Sequence, residues 1–173
     1  MGEMIRAATP DDASALCAIY NEGIAEGRAT FETRERDVAE IEAWFADDYP
    51  IVVETGPDGA VRGFARVGAF SHRAVYAAVG EHGVYVAASA RGQGVGRRLL
   101  DALSVEAERR GFTKLTSRVF STNEASRALH LAAGFREVGV QERHGRIDGV
   151  WLDCVLVEKL LGEAAADRGR AAA

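Results

Sequence analysis

The run Arg91-Gly92-Gln93-Gly94-Val95-Gly96 combines residue types and spacing that could do chemistry. It follows the apolar stretch Val84-Tyr85-Val86 and leads straight into a helical pattern. Several backbone N–H groups would then gather at the positive end of a helix, a geometry that binds phosphate. Two phosphate signatures are absent: GxxxxGK[ST] has no match, and GxGxxG would need glycine where Arg97 stands. What remains, Arg91-x-x-Gly94-x-Gly96, fits a phosphate cradle or a tight turn with no ligand, and the motif alone leaves both open. Cys17 and Cys154 show neither CxxC spacing nor Cys/His clustering. They predict reduced core thiols in a cytosolic protein and no metal site.

The composition narrows the partner. The 173 residues are 47% hydrophobic and 27% charged, near an ordinary globular domain. The net charge of −5 argues against a nucleic-acid backbone or an anionic bilayer as the main partner and favours a small ligand. No stretch approaches the ~18 apolar residues of a membrane span, and the start lacks a secretory pattern, so a cytoplasmic protein is expected.

The elements that must position the turn follow from punctuation and periodicity. Thr9-Pro10-Asp11-Asp12 reads as a helix start, and Leu16, Ile19, Tyr20 and Ile24 step by three and four on one buried face, with Gly23 and Gly27 at its end. Residues 30–36 read as a loop. Val38, Ile41, Trp44 and Phe45 repeat the helical spacing until Tyr49-Pro50. Ile51-Val52-Val53 and residues 61–70 flank Gly56-Pro57-Asp58-Gly59 as an antiparallel hairpin. Residues 81–88 form the strand before the glycine turn, and Val95, Leu99, Leu103 and Ala107 share one face of the helix after it. A strand over 114–120, a helix over 123–133, and strands over 135–140 and 149–158 around a turn at His144-Gly145-Arg146 complete a mixed α/β sheet. One domain over residues 1–161 is expected, with 162–173 as a disordered tail.

The glycine turn after an apolar strand, with Asn123 and Gly134-Phe135 at the two ends of the next helix, resembles the GNAT superfamily of acetyl-CoA-dependent N-acetyltransferases over about residues 4–160. Within it, Thr30-Phe31-Glu32-Thr33, Arg73-x-x-Tyr76, Glu81-His82-Gly83-Val84-Tyr85-Val86 and Gly149-Val150-Trp151-Leu152-Asp153 look like the phosphinothricin acetyltransferase branch. That branch acetylates the α-amine of glutamate analogues such as phosphinothricin, methionine sulfoximine and arsinothricin.

The resemblance implies a GNAT fold, a mostly antiparallel sheet flanked by helices, with acetyl-CoA as co-substrate and no metal. It implies that Arg91, Gly92, Gln93, Gly94, Val95, Gly96 and Arg97 form the coenzyme turn. Val84, Tyr85 and Val86 would pair their backbone with the pantetheine arm, and an N–H near Val86 would polarise the thioester carbonyl. Asn123 is implied as a coenzyme or loop contact, and it is also placed as a helix N-cap.

Attack on a thioester needs a neutral amine, so a base must take its proton. Glu81, at the head of the thioester strand, is the candidate. His82 would point to the opposite face and is given no catalytic role. His130 stands where many GNAT enzymes carry a tyrosine, and could donate a proton to sulfur or contact substrate. Phe31, Arg73 and Tyr76 are implied around a small amine substrate carrying anionic groups. Trp151 suggests packing at a sheet or homodimer surface. The rival readings are an acetyltransferase for another small amine or a peptide N-terminus, and a non-catalytic acyl-CoA-binding module.

Overall fold

A computed structural model describes residues 4–166. Strand β1, Met4–Ala7, leads through Pro10–Asp12, a short 3-10 turn, into helix α1, Ala13–Glu26. The Asp12 carboxylate accepts from the Arg6 guanidinium at 2.7 and 2.8 Å and from the Thr9 N–H at 2.8 Å, and chiefly the Arg6 bonds hold its carboxyl below the usual range. Gly27 ends α1 at φ +64°, in the left-handed region that favours glycine. Helix α2, Val38–Glu42, starts at Asp37, whose side chain accepts from the Glu40 N–H, and runs into a 3-10 turn over Ala43–Ala46.

The hairpin strands are β2, Ile51–Thr55, and β3, Val61–Ala69; β4 spans Val79–Val86 and helix α3 Val95–Arg109. Strand β5, Lys114–Phe120, helix α4, Glu124–Ala132, and strands β6, Arg136–Ile147, and β7, Val150–Leu160, follow. The seven strands form one sheet in the order β1-β2-β3-β4-β5-β7-β6. Every pairing is antiparallel except β4 with β5, which pair in parallel over Val79–Lys114, Gly80–Leu115 and Glu81–Thr116. The fold is therefore the mixed, mostly antiparallel α/β sheet that the sequence predicts.

Two cores cover the two faces. Leu99, Leu100 and Leu103 of α3 pack on Ala65, Val67, Leu115 and Val155 on one side. Leu16, Ile19 and Tyr20 of α1, with Ile41 of α2, pack on Val53 and Phe64 on the other. The period-3.6 stripes and the alternation along β3 are the sequence cause of this division.

Two expectations need correction. The last hairpin does not turn at His144-Gly145-Arg146: β6 continues to Ile147, and the reversal is made by Asp148 and Gly149 at φ +48° and +81°. The extra length comes from an irregular stretch between Gln141 and Gly145, where Arg143 also takes a positive φ. Residues Gly162–Ala166, expected to be disordered, form a short helix α5. The rest of the expected tail, 167–173, lies outside the described residues.

Candidate functional site

A cleft of about 1160 Å³ opens where β4 and β5 part beyond Glu81, and it is walled by the 28–32 loop, the glycine turn and α4. The turn is built before any ligand is considered. Gly92 and Gly94 take φ +73° and +79°, and Gly94 is the N-cap of α3, so the first N–H groups of a 15-residue helix face the cleft. A side chain at Gly92 would meet nothing within 4 Å, which leaves its backbone open to approach, whereas a Cβ at Gly96 would lie 2.9 Å from Leu129 Cδ2. Gly94 thus lets the chain turn, and Gly96 lets α3 and α4 pack closely.

Side chains fix the turn from behind. The Glu54 carboxylate, fully buried, accepts from Arg98 Nε at 2.9 Å and Nη2 at 2.8 Å. Arg98 Nη1 donates to the Gln93 carbonyl at 3.1 Å, and Arg62 donates to the Gln93 side chain. On the other flank Arg91 pairs with Glu26 of α1 at 2.7 Å, and its Nε donates to the Val86 carbonyl at 3.2 Å. The cations next to the turn are thus largely committed to protein partners, and the backbone N–H groups are what it offers to an anion.

Glu81 sits at the point where the strands separate. Its carboxylate is partly exposed in the cleft, 3.5 Å from Arg118 Nη1. Its neighbour His82 projects to the opposite face, as expected, and is buried beside His130 and Phe135. The two Nε2 atoms are 3.0 Å apart, and His130 Nδ1 donates to the Ser126 carbonyl at 2.7 Å. With its proton on Nδ1, neutral His130 accepts at Nε2, so His82 donates from Nε2; this tautomer pair is assigned from the partners. Burial, then the neighbouring His130, pushes His82 down to about 3, and burial also lowers His130. Both rings are neutral near pH 7.

The loop wall is tied by Asn123. Its side-chain oxygen accepts from the Ser126 N–H at 3.0 Å, the cap that the sequence predicts, and its Nδ2 donates to the Arg28 carbonyl at 3.1 Å. Phe31 lies edge-on to Phe120, with ring centroids 4.5 Å apart, and over Gly145, where any Cβ would come within 2.1 Å of its ring.

The sequence profile of the Acetyltransferase (GNAT) family matches residues 16–135. The chain belongs to the GNAT acetyltransferase family. This acetyltransferase is 33% identical over 162 residues to the L-methionine sulfoximine/L-methionine sulfone acetyltransferase of Pseudomonas aeruginosa, an alignment covering 91% of this chain and 94% of the relative. It is 36% identical to the phosphinothricin N-acetyltransferase of Alcaligenes faecalis over 91% of this chain and 82% of that protein. In three dimensions it is similar to the acetyl-CoA complex of a phosphinothricin acetyltransferase from Sinorhizobium meliloti, with a TM-score of 0.89, 33% identity, and 96% and 92% of the two chains covered.

Within the acetyltransferase cleft the fold brings together Phe31, Glu81, Val84, Tyr85, Val86, Arg91, Gly92, Gly94, Val95, Gly96, Arg97, Asn123 and His130. Gln93 is not in the lining, because its side chain turns back to the Ser89 carbonyl and Arg62. Arg73 and Tyr76 are exposed around a 3-10 turn, Ala74–Tyr76, and do not line the cleft of this chain; Tyr76 packs edge-on to Phe70. Trp151 is exposed on β7 with Arg146 over its ring. Sequence reasoning missed the His82–His130 hydrogen bond and the Glu54 anchor. The only sequence signal for Glu54 was a charge placed inside a β-branched strand. Among the described residues there is no metal-ligating cluster, and no helix is long and apolar enough to cross a membrane.

Proposed function

We propose that this enzyme transfers acetyl from acetyl-CoA to the α-amine of a small glutamate-like amino acid, of the phosphinothricin, methionine sulfoximine or arsinothricin kind. The observation that carries the reading is the convergence, in one cleft, of a helix-N-terminal glycine turn, the β5-facing edge of β4 beyond Glu81, which has no strand partner there, and the Glu81 carboxylate. The named activities of the two relatives support this acceptor class.

The site fits the co-substrate. Backbone N–H groups of residues 92–97 would hold the pyrophosphate, since Gly92 leaves the main chain uncovered. The β4 backbone at Val84 to Val86 would take the amides of the pantetheine arm as a strand takes a partner. The thioester supplies the activated acetyl group. Glu81 accepts a proton from the acceptor ammonium, directly or through water; the freed amine bonds to the acetyl carbon, and the carbon–sulfur bond breaks as the tetrahedral centre collapses. An N–H near Val86 carries the oxyanion, a contribution worth ~3 kcal/mol in other acyl transfers. The departing thiolate takes, through water, the second proton that the nitrogen gives up as the amide forms. His130, with its Nδ1 proton held by Ser126 and its Nε2 facing His82, is assigned to shaping the wall rather than to protonating sulfur. The resemblance to the phosphinothricin acetyltransferase branch assigns Arg73 and Tyr76 to the acceptor, although neither lines the cleft of this chain. A cytoplasmic homodimer is the proposed working form.

The test is an acceptor panel with acetyl-CoA and mass detection of the product. Acetylation on the α-amine of phosphinothricin, methionine sulfoximine or arsinothricin is expected. Acetylation of polyamines, aminoglycosides or peptide N-termini instead would overturn the acceptor class and leave acetyl transfer standing. Absence of thiol release with every amine would favour a non-catalytic coenzyme-binding protein.

A further inference from the structure

Most arginines near the core of this protein have an acid. Arg6 holds Asp12, Arg98 holds Glu54, Arg127 holds Glu137 and Arg136 holds Glu158. Arg66 is different. It is half-buried on β3, its guanidinium carbon lies 3.9 Å over the Trp44 ring, and its Nε is buried with no hydrogen-bond partner. Among the described residues it makes no ion pair. The neighbouring acids are engaged or remote: Glu32 is paired with Arg36 at 2.6 Å, and Asp47 is exposed and acts only through space. Stacking on an aromatic face offsets part of the loss of water, but a desolvated guanidinium without an anion remains costly.

Its direction gives this cation a use. On the β3–β4 ladder Arg66 stands opposite Gly83, and Gly68 stands opposite Glu81. Residues directly opposite share a face, so Arg66, Gly68, Gly83 and Glu81 look toward the same side of the sheet. The guanidinium folds along that face toward Gly68: a Cβ built there would lie 3.7 Å from Arg66 Nη2 and 3.9 Å from the Glu81 carbonyl, with no nearer neighbour. Gly68 therefore leaves a bare patch of sheet between this half-buried arginine fork and the strand residue that carries the base, beside the cleft whose lining includes Glu81 and Gly83. Gly83, also without a side chain, is covered by the Tyr85 ring, which closes the other half of that patch.

We infer that Arg66 is the acceptor-carboxylate subsite: its guanidinium receives the α-carboxylate of an amino-acid acceptor whose α-amine faces Glu81 across the bare patch at Gly68. The inference rests on the acetyl-transfer reading above and deepens it. An α-amine and its carboxylate are one carbon apart, and paired strands hold Gly68 and Glu81 at ~5 Å, so one small molecule engages both. The planar fork suits a carboxylate through two parallel hydrogen bonds. A half-buried cation is also a discriminator, because an amine without an anion leaves it unpaired.

The experiment compares Arg66→Gln and Arg66→Lys with wild type, using L-methionine sulfoximine and its α-carboxamide as acceptors. For the acid, Arg66→Gln should lower kcat/KM about 10²-fold, mostly through KM, with Arg66→Lys recovering part of the loss. For the carboxamide the same variants should stay within about threefold of wild type, and KM for acetyl-CoA should not move. Equal losses for acid and carboxamide would make Arg66 a structural residue and overturn the subsite, as would no loss for either. Wild type that uses carboxylate-free amines as well as amino acids would also overturn it. Wild type that ignores glutamate analogues but acetylates other α-amino acids, with Arg66→Gln losing them selectively, would keep the subsite and overturn the glutamate-analogue reading.

Discussion

The Nε2 atoms of His82 and His130 meet at 3.0 Å, in a wall that keeps both rings from water. This neutral pair makes stability depend on pH. An unfolded histidine titrates near ~6.5, whereas His82 in the fold is pushed down to about 3. Stability is complete above the unfolded value. As pH falls below it the unfolded chain takes up a proton that the folded chain refuses, at up to about 1.4 kcal/mol per pH unit. His130, lowered in the same direction, steepens the fall just below neutrality. Urea unfolding near pH 7 and near pH 5 should show wild type losing about 2 kcal/mol more than His82→Gln, and parallel losses would remove the pair as the cause.

Glu54 is the hidden support of the glycine turn. Replacing it with Gln removes the buried carboxylate that Arg98 and Arg62 hold and loosens the Arg98 and Arg62 contacts to Gln93. About 3 kcal/mol of stability should be lost, toward the low end for a broken buried pair because Arg98 is partly exposed. Calorimetry should show weaker acetyl-CoA binding in the folded variant. Unchanged affinity would separate the anchor from the turn.

Glu81→Gln removes a proton acceptor while keeping shape. Turnover should fall by about 10²-fold near neutral pH and recover as pH rises, because free amine then no longer needs a base. A rate and pH profile matching wild type would transfer the role to another group.

Gly145→Ala tests the Phe31 wall. The added methyl would come within 2.1 Å of the ring and must displace it. The acceptor KM should rise several-fold with acetyl-CoA affinity intact, and Phe31→Ala in the same chain should relieve the clash. If the double variant behaves like Gly145→Ala alone, the packing account fails.

Much of this was legible in the residues, and the rest was not for definite reasons. Gly27, Gly94, Gly134 and Asn123 announce helix ends because backbone sign and cap chemistry are local properties. The length of β6 was not local: it comes from pairing with β7 through an irregular stretch, and His144-Gly145-Arg146 looks like a turn only without that partner. His82 was read correctly for direction, but its partner is 48 residues away on α4. Nothing in the residues around Arg66 marks it, since lacking a partner is a property of the folded surroundings and not of the sequence nearby.

The parallel seam between β4 and β5 is only three residue pairs long. On one side of it lie β1 to β4 and on the other β5, β7 and β6, so the sheet is two leaves joined along a short stitch, with α3 and its leucines packed across both. A ligand arm running along Val84 to Val86 would lie in the open part of that seam and act as a splint between the leaves. Its binding energy would then be shared by the whole sheet, and occupancy would raise the cooperativity of unfolding as well as its midpoint.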